Sequence, residues 1–403
     1  MKNFLFLFLL ISMSSWSQFR FQGIVRDSNT QKPVPFATLH AKGISILTDV
    51  NGFFEWKSEI AIDVVTISYL GYERQVVKVN PKVPMKILLT PKENREETTQ
   101  AAAEKGKAVI LKVHARASSN NPQIRLNTFK HNGYHRLVVT ATPDSIKGTI
   151  DSTYSKKEKK FTPDSTSFKF KELISKQHLF QFEKSSKYQF NGEQFKETVI
   201  GTKMSGFKKP VYEVIAFDLQ PQSVYNNLYE LFETKYTNPI SKLGLKSYHF
   251  VWLDSVKIDG RKTQLVYFKN KKRSLRRGLE GVLFVDDETF GIAKAIYRIR
   301  GVLDISSLHY FNFESTLGLW LPSKNEFKIV KGQNDDPIKI LGGTIRFDGS
   351  YDPFNENTKS EISDFVYVFA QSQFYDWEYN LPVHFKRKHI TLDIPDEAIK
   401  RDD

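Results

Sequence analysis

The chain has 403 residues, 40% of them hydrophobic, with no cysteine and a formal charge of +14. Without cysteine there is no disulfide, no iron–sulfur cluster and no thiol nucleophile. At roughly 100–200 residues per domain, two or three domains are expected. The basic balance by itself is compatible with nucleic acid, an anionic surface or mere solubility.

The N-terminus narrows that choice. "MKNFLFLFLLISMSSWSQ" sets Lys2 before an apolar run from Phe4 to Met13 and the small-residue site Ser15-Trp16-Ser17. That is the layout of a secretory signal peptide over residues 1–17, cut before Gln18. The run is shorter than the roughly 20 residues a spanning helix needs. No cysteine follows it to carry a lipid. Export argues against nucleic acid as the partner.

Residues 18–92 read as short strands. "FRFQGIVRD", "VPFATLHAKG", "SILTDVNGFFEW", "DVVTISYLGYERQVVKV" and "MKILLTP" are rich in β-branched and aromatic residues. Turn signals separate them roughly every ten residues, which predicts a small all-β sandwich. Within it Asp49, Asn51 and Gly52 look like the opening of a calcium loop. Such a loop needs a bidentate Glu at its twelfth position, and counting from Asp49 that position is Ile60. The spacing therefore predicts a hairpin turn at Asn51-Gly52, with Asp49 hydrogen-bonded to the turn backbone.

These stretches also carry a resemblance. "GIVRDSNTQKPVPFATLHAKG", "ILTDVNGFFEW" and "VTISYLGYERQVVKV" are similar to the carboxypeptidase-like regulatory domain, a transthyretin-like, Ig-like sandwich. The resemblance implies a docking or folding module of exported and outer-membrane proteins of Gram-negative bacteria. It does not imply peptidase activity, and no H-E-x-x-H or H-x-x-E motif is present.

Residues 93–122 are rich in Ala, Glu and Lys and predict a linker helix. Thr98 or Thr99 would cap it, Asn120-Asn121-Pro122 would end it, and Ala102, Val109, Ile110 and Val113 would form its apolar stripe. From residue 123 to 390 the chain is again β-rich, with a tail over 391–403. "YHFVWLDSVKIDGRKTQLVYFKN" predicts a hairpin about Asp259-Gly260, and "GVLFVDDETFGIAKAIYRIRG" another about "DDETFG". "FESTLGLWLPSKNEFKIV" and "GGTIRFDGSYD" would continue the meander. Val224, Leu228, Leu231 and Phe232 at helical spacing predict a helix over 222–237, and "FKELISKQHLFQFE" offers a second. The expected architecture is a larger antiparallel sheet with one or two helices. The strand order resembles the curved sheet of the lipoprotein-carrier fold. Together with "GLEGVLFVDDETFGIAKA", the whole resembles an uncharacterised family of exported proteins. Its longer members continue into a β-barrel, and "PDEAIKRDD" resembles the link before that barrel.

Candidate chemistry is sparse. His131 and His135 have the spacing of a helical zinc pair, but Asn132-Gly133 disfavours a helix. In a strand they stand about 13 Å apart, too far for one metal, so they are expected as surface or half-buried side chains. Asp286, Asp287 and Glu288 are adjacent acids at a hairpin tip. Glycoside chemistry would need them held across a cleft, and solvated turn acids are the expectation. Tyr375 and Trp377 could stack on sugars, although packing is the commoner fate of such residues. "KNKKRSLRR" supplies Lys269, Lys271, Lys272, Arg273, Arg276 and Arg277, six basic residues in nine. This is a solvated loop or a patch for an anionic lipid headgroup, a glycan or an envelope protein. No cofactor or metal is implied, and nothing sets the oligomeric state.

The sequence thus predicts a mainly β, non-enzymatic protein of the periplasm or the periplasmic face of the outer membrane, working by binding or docking. The alternatives are a periplasmic carrier of lipid or another hydrophobic ligand, and a glycan or peptide hydrolase.

Overall fold

The computed structural model describes residues 19–401 apart from 50, 94, 144–145, 156–158, 207–222, 232–233, 272–278, 333–337, 341–342, 346–349, 353–357, 360–365, 384, 386–391 and 396–397. The signal-peptide region lies outside the described residues. The chain divides into two compact units, Met1–Lys105 with Val251–Gln264, and Gly106–Phe250 with Leu265–Asp403.

The N-terminal part of the first unit shows, among the described residues, β1 (Phe19–Asp27), β2 (Thr38–Ala41), β3 (Ile44–Leu47), β4 (Phe53–Ser58), β5 (Val64–Ser68), β6 (Gln75–Lys78) and β7 (Met85–Leu89). They form two sheets, ordered β4-β1-β7 and β3-β2-β5-β6, the expected β-sandwich. Alternate residues of each strand point inward. Phe21 and Val25 on β1, Phe54 and Trp56 on β4, and Val65 and Ile67 on β5 share one core. Phe21 stacks on Trp56 at 5.7 Å between centroids.

The Asn51-Gly52 turn is real, but it is not a hairpin turn. β3 pairs with β2 and β4 with β1, so the turn carries the chain from one sheet to the other. Asp49 Oδ1 accepts from the backbone N–H of Asn51 at 2.8 Å and of Phe53 at 2.9 Å, as its spacing predicts. Gly52 has φ +73°, and its carbonyl accepts the N–H of Val25 at 2.7 Å. A Cβ there would lie 2.5 Å from the Val25 carbonyl oxygen. Close docking on β1 is what diverts the strand from its sequence neighbour. Elsewhere in this unit the Asp27 carboxylate accepts from Asn29 N, Thr30 N and Tyr72 Oη at 2.7–2.8 Å. Those bonds, with Thr30 foremost, pull its pKa down to about 2.

Helix α1 (Arg95–Ala115) follows, then the single turns α2 (Ala117–Asn120) and α3 (Pro122–Arg125). Thr98 and Thr99 are interior positions and not caps, because the good helix formers Arg95 to Glu97 extend the helix N-terminally. The predicted stripe of Ala102, Val109, Ile110 and Val113 is buried. At Asn120-Asn121-Pro122 the helical path breaks. Asn121 then caps α3, its side chain accepting from Gln123 N with Pro122 at the first helical position.

The remaining elements are β8 (Phe129–Ala141), β9 (Asp151–Ser155), β10 (Lys160–Asp164), α4 (Thr166–Lys176), β11 (Phe180–Phe190), β12 (Phe195–Gly206), β13 (Leu228–Leu231) and β14 (Thr234–Thr237). After them come α5 (Gly244–Ser247), β15 (Tyr248–Ile258), β16 (Arg261–Asn270), β17 (Glu280–Asp286), β18 (Ile292–Arg300), β19 (Leu303–Glu314) and β20 (Leu319–Lys331). Four short strands, β21 (Ile338–Ile340), β22 (Gly343–Ile345), β23 (Ser350–Asp352) and β24 (Thr358–Lys359), make a small sheet of their own. "GGTIRFDGSYD" therefore leaves the meander that it was expected to continue. The last strands are β25 (Val366–Tyr379), β26 (Leu392–Asp393) and β27 (Ile399–Arg401).

The large sheet runs β15-β16-β17-β18-β19-β20-β25-β8-β11-β12, with β26 and β27 beside β12. Its hairpins follow the predicted turns. Asp259 and Gly260 both have positive φ, +48° and +73°, as a tight hairpin turn requires. The tip of that hairpin belongs to the first unit, where Asp254 Oδ2 accepts from Ser68 Oγ at 2.9 Å.

The predicted helix over 222–237 is absent among the described residues, and Phe232 of its stripe lies outside them. Leu228–Leu231 and Thr234–Thr237 form an antiparallel hairpin, and the residues taken inside are Tyr229, Leu231, Thr234 and Tyr236, a period of two. Leu228, counted in the helical stripe, is exposed. The second helix exists as α4 but stops at Lys176, and "LFQFE" opens β11.

Candidate functional site

Residues directly opposite one another on neighbouring strands point to the same face. Register therefore shows which side chains the large sheet brings together. His309 on β19 faces Asn325 on β20, Asn325 faces Ser372 on β25, and Ser372 faces His135 on β8. His135 faces Lys184 on β11, and Lys184 faces Thr202 on β12. All six are buried. A polar row thus crosses six strands on an inner face that is largely apolar. Four residues along the strands, His131 faces Tyr188, and Tyr188 faces Glu197.

The row is wired by hydrogen bonds. His309 Nδ1 bonds Asn325 Oδ1 at 3.0 Å, and its Nε2 lies 2.8 Å from Ser307 Oγ and 3.2 Å from Tyr229 Oη. His135 Nδ1 lies 2.7 Å from Ser372 Oγ, and its Nε2 lies 2.6 Å from Tyr188 Oη. Glu197 Oε1 accepts from Ser186 Oγ at 2.6 Å and Tyr188 Oη at 3.1 Å, and pairs with Lys184 Nζ at 2.7 Å. The Lys184 and Glu197 side chains are 1% and 3% exposed, so this is a dry ion pair.

Above this floor lies a narrow cleft, open to solvent at its mouth, with a cavity volume of about 70 Å³. Its walls are Phe129, Phe195, Phe311, Pro322, Phe374 and Trp377, with Val224 and Tyr225, and α3 contributes Pro122 and Gln123. The polar lining is Asn121, His131, Ser223, His309 and Asn325. Phe195 on β12 and Phe311 on β19 are five ladder steps apart, about 24 Å along a flat sheet. Both line one cleft, so the sheet wraps around it, which is the curvature expected from the sequence. Trp377 stacks on His131 at 4.2 Å and lies 5.5 Å from Phe129, and its Nε1 donates to the Pro322 carbonyl at 3.2 Å.

Burial governs the histidines. It draws His131 down to about 4, against the opposing pull of the Asn132 carbonyl and the Glu197 charge. It draws His309 down to about 4 against the Asn325 hydrogen bond. Burial and then the Lys184 charge hold His135 well below the usual histidine value. All three are neutral at physiological pH.

A pH dependence follows. Between pH 6.5 and about 4 the unfolded chain binds protons at these residues that the folded chain refuses, so stability falls as pH falls through that window. His131 and His309 each account for roughly 3 kcal/mol at the lower end. Asp27 in the first unit acts only below 3.8, because its folded carboxylate stays charged down to about 2. Denaturant titrations from pH 7 to pH 3 are expected to show the second unit failing first, the sandwich persisting below pH 4. A midpoint for the second unit that does not move between pH 6.5 and 4 would mean the histidines are already charged when folded.

The other residues singled out by sequence fall as follows. His131 and His135 lie on a strand, as expected, but are buried and not at the surface, because both point to the inner face. Among the described residues no group of three or more His, Cys, Asp and Glu is placed to hold a metal ion. Asp286, Asp287 and Glu288 sit at the β17–β18 turn. Asp286 is buried rather than solvated, because its carboxylate accepts the Thr289 N–H at 2.9 Å and closes the turn. Tyr375 is exposed, whereas Trp377 is spent on packing. Lys269 and Lys271 are exposed at the end of β16, while Lys272, Arg273, Arg276 and Arg277 lie outside the described residues. Sequence reasoning missed Lys184, Tyr188, Glu197, His309 and Asn325. Their only signal is a polar residue in the inward phase of an alternating strand.

Three solved structures are similar in fold at low scores. A putative outer membrane lipoprotein-sorting protein domain from Vibrio parahaemolyticus is 10% identical, with 70% of this chain and 95% of that one covered and a TM-score of 0.27. A LolA superfamily protein from Nitrosomonas europaea is 12% identical, with 69% and 94% covered and a TM-score of 0.26. A DUF1329 family protein from Desulfovibrio piger is 9% identical, with 70% and 95% covered and a TM-score of 0.24. No curated protein matches the chain. Residues 110–351, well over half the sequence and the part that builds most of the wrapped sheet, match a family of unknown function, DUF5686, and the chain belongs to that family.

Proposed function

We propose that the second unit binds a small apolar molecule in the aromatic cleft, as a carrier or holding site for a lipid or another hydrophobic ligand. The observation that carries this reading is the cleft itself. Aromatic and proline walls around a few convergent polar atoms are the usual make-up of a small-molecule site. The alternative of a docking section has no comparable feature among the described residues. The signal-like N-terminus supports an exported protein working in the periplasm or at the outer membrane. The sandwich would then serve as a module that positions the binding unit.

The test uses the full chain and the uncharged dye N-phenylnaphthylamine, whose fluorescence rises in apolar surroundings. Saturable binding in the micromolar range is expected. Gln123 is exposed on α3 at the cleft, so Gln123→Trp should block entry without disturbing the core. A loss of about tenfold in affinity, some 1.4 kcal/mol, is expected. No saturable binding by the native chain, or equal binding by the variant, would remove the cleft as the site.

A further inference from the structure

We propose that the cleft selects an uncharged ligand whose polar end both donates and accepts a hydrogen bond, an alcohol or a primary amide, and discriminates against the matching carboxylate. The inference rests on the reading of the cleft as a ligand site and adds which chemistry it takes.

The lining contains no Lys, Arg, Asp or Glu among the described residues. The nearest charges of the floor, Lys184 and Glu197, are committed to one another. A carboxylate entering the cleft would lose its water and meet no cation, which is costly. An uncharged end group pays little.

The polar atoms left over specify that group further. His131 is 5% exposed and lines the cleft. Its Nδ1 lies 3.2 Å from the Asn132 carbonyl oxygen. A carbonyl can only accept, so Nδ1 carries the proton and Nε2 presents a bare lone pair. Among the described residues that Nε2 has no hydrogen-bond partner. Trp377 at 4.2 Å and Tyr188 at 4.9 Å stack on the ring and fix its plane, and the Nδ1 bond to Asn132 fixes which way it faces. His131 therefore asks for a donor.

Asn325, 3% exposed, gives the opposite signal. Its Oδ1 takes the Nδ1–H of His309, while the hydroxyls of Ser307 and Tyr229 reach the far nitrogen of that ring. This leaves the two N–H groups of Nδ2 without a partner among the described residues, in a side chain that lines the cleft. Asn325 asks for an acceptor. A hydroxyl or a primary amide can answer either atom. A carboxylate answers Asn325 but can give nothing to His131.

The experiment compares dodecanol, dodecanamide and dodecanoate as competitors of N-phenylnaphthylamine on the full chain at neutral pH. Dodecanol and dodecanamide should bind at least about tenfold more tightly than dodecanoate. His131→Phe keeps the aromatic stack and removes the acceptor. It should erase most of the advantage of the alcohol over the carboxylate, read as the ratio of their affinities within the variant. His131→Gln, which restores an acceptor oxygen, should recover part of it. Dodecanoate binding as tightly as dodecanol would overturn the selection, and a preference unchanged in His131→Phe would overturn the role of His131. Failure of the dye and all three competitors to bind would instead overturn the ligand site beneath both.

Discussion

Replacing Glu197 by alanine is expected to destabilise the second unit by about 3–5 kcal/mol, among the largest effects that any single substitution here would have. Lys184 Nζ lies 2.7 Å from Glu197 Oε1 with both side chains almost wholly removed from water. The cost comes less from the lost attraction than from the ammonium left behind in an apolar sheet interior. Ser186 loses its acceptor at the same time, while Tyr188 keeps His135 Nε2 at 2.6 Å. The double variant Lys184→Met, Glu197→Leu removes both charges and should recover more than half of the loss. The rest stays lost because the Ser186 hydroxyl is left without Glu197 as its acceptor. Urea denaturation of the three variants decides the matter. A Glu197→Ala cost below about 1 kcal/mol would show that water reaches the pair, since that is the range of exposed ion pairs.

Gly281→Ala should cost about 3 kcal/mol or more, in the upper range for overpacking. Gly281 lies on β17 opposite Tyr297 of β18. A Cβ built on it would fall 1.8 Å from the Ile296 carbonyl oxygen. The obstacle is backbone in a paired strand, so no side-chain rotation relieves it, and the β17–β18 ladder has to part locally. The check is the denaturation midpoint together with amide exchange, which should accelerate at Val282 and Ile296 ahead of the rest of the sheet. Unchanged exchange there would mean that the two strands already sit further apart.

Much of the architecture was readable from residues because it is set by local chemistry. Asp259-Gly260 forces a tight turn wherever it sits, and Asp49 closes its own loop. The alternation of β11, β19 and β20 marks an inner and an outer face without any knowledge of partners. What failed was what depends on distant chain. The run from Val224 to Thr237 fits a helix by spacing, yet short apolar runs do not choose between periods. Tyr229 reaching Ser307 and His309 tips this one to a hairpin. The same limit hid the site. His309, Asn325, Ser372, His135 and Lys184 lie up to 237 positions apart in sequence, with nothing local to mark them as one row. Only register joins them, and register is a property of pairs of strands.

The polar row has a consequence for how the sheet reaches its final pairing. Alternation alone forbids a slip of one residue between strands, because every side chain would change face. It does not forbid a slip of two, which leaves each face as apolar as before. The row does. Shifting β11 by two against β8 would set Lys184 opposite Gly133 or Leu137 in place of His135, and the same shift against β12 would carry Tyr188 away from Glu197. Each such error strands a charge or a hydroxyl in hydrocarbon. The residues that floor the cleft therefore also act as a combination lock: the sheet closes without penalty in one alignment, and the cleft exists only in that alignment.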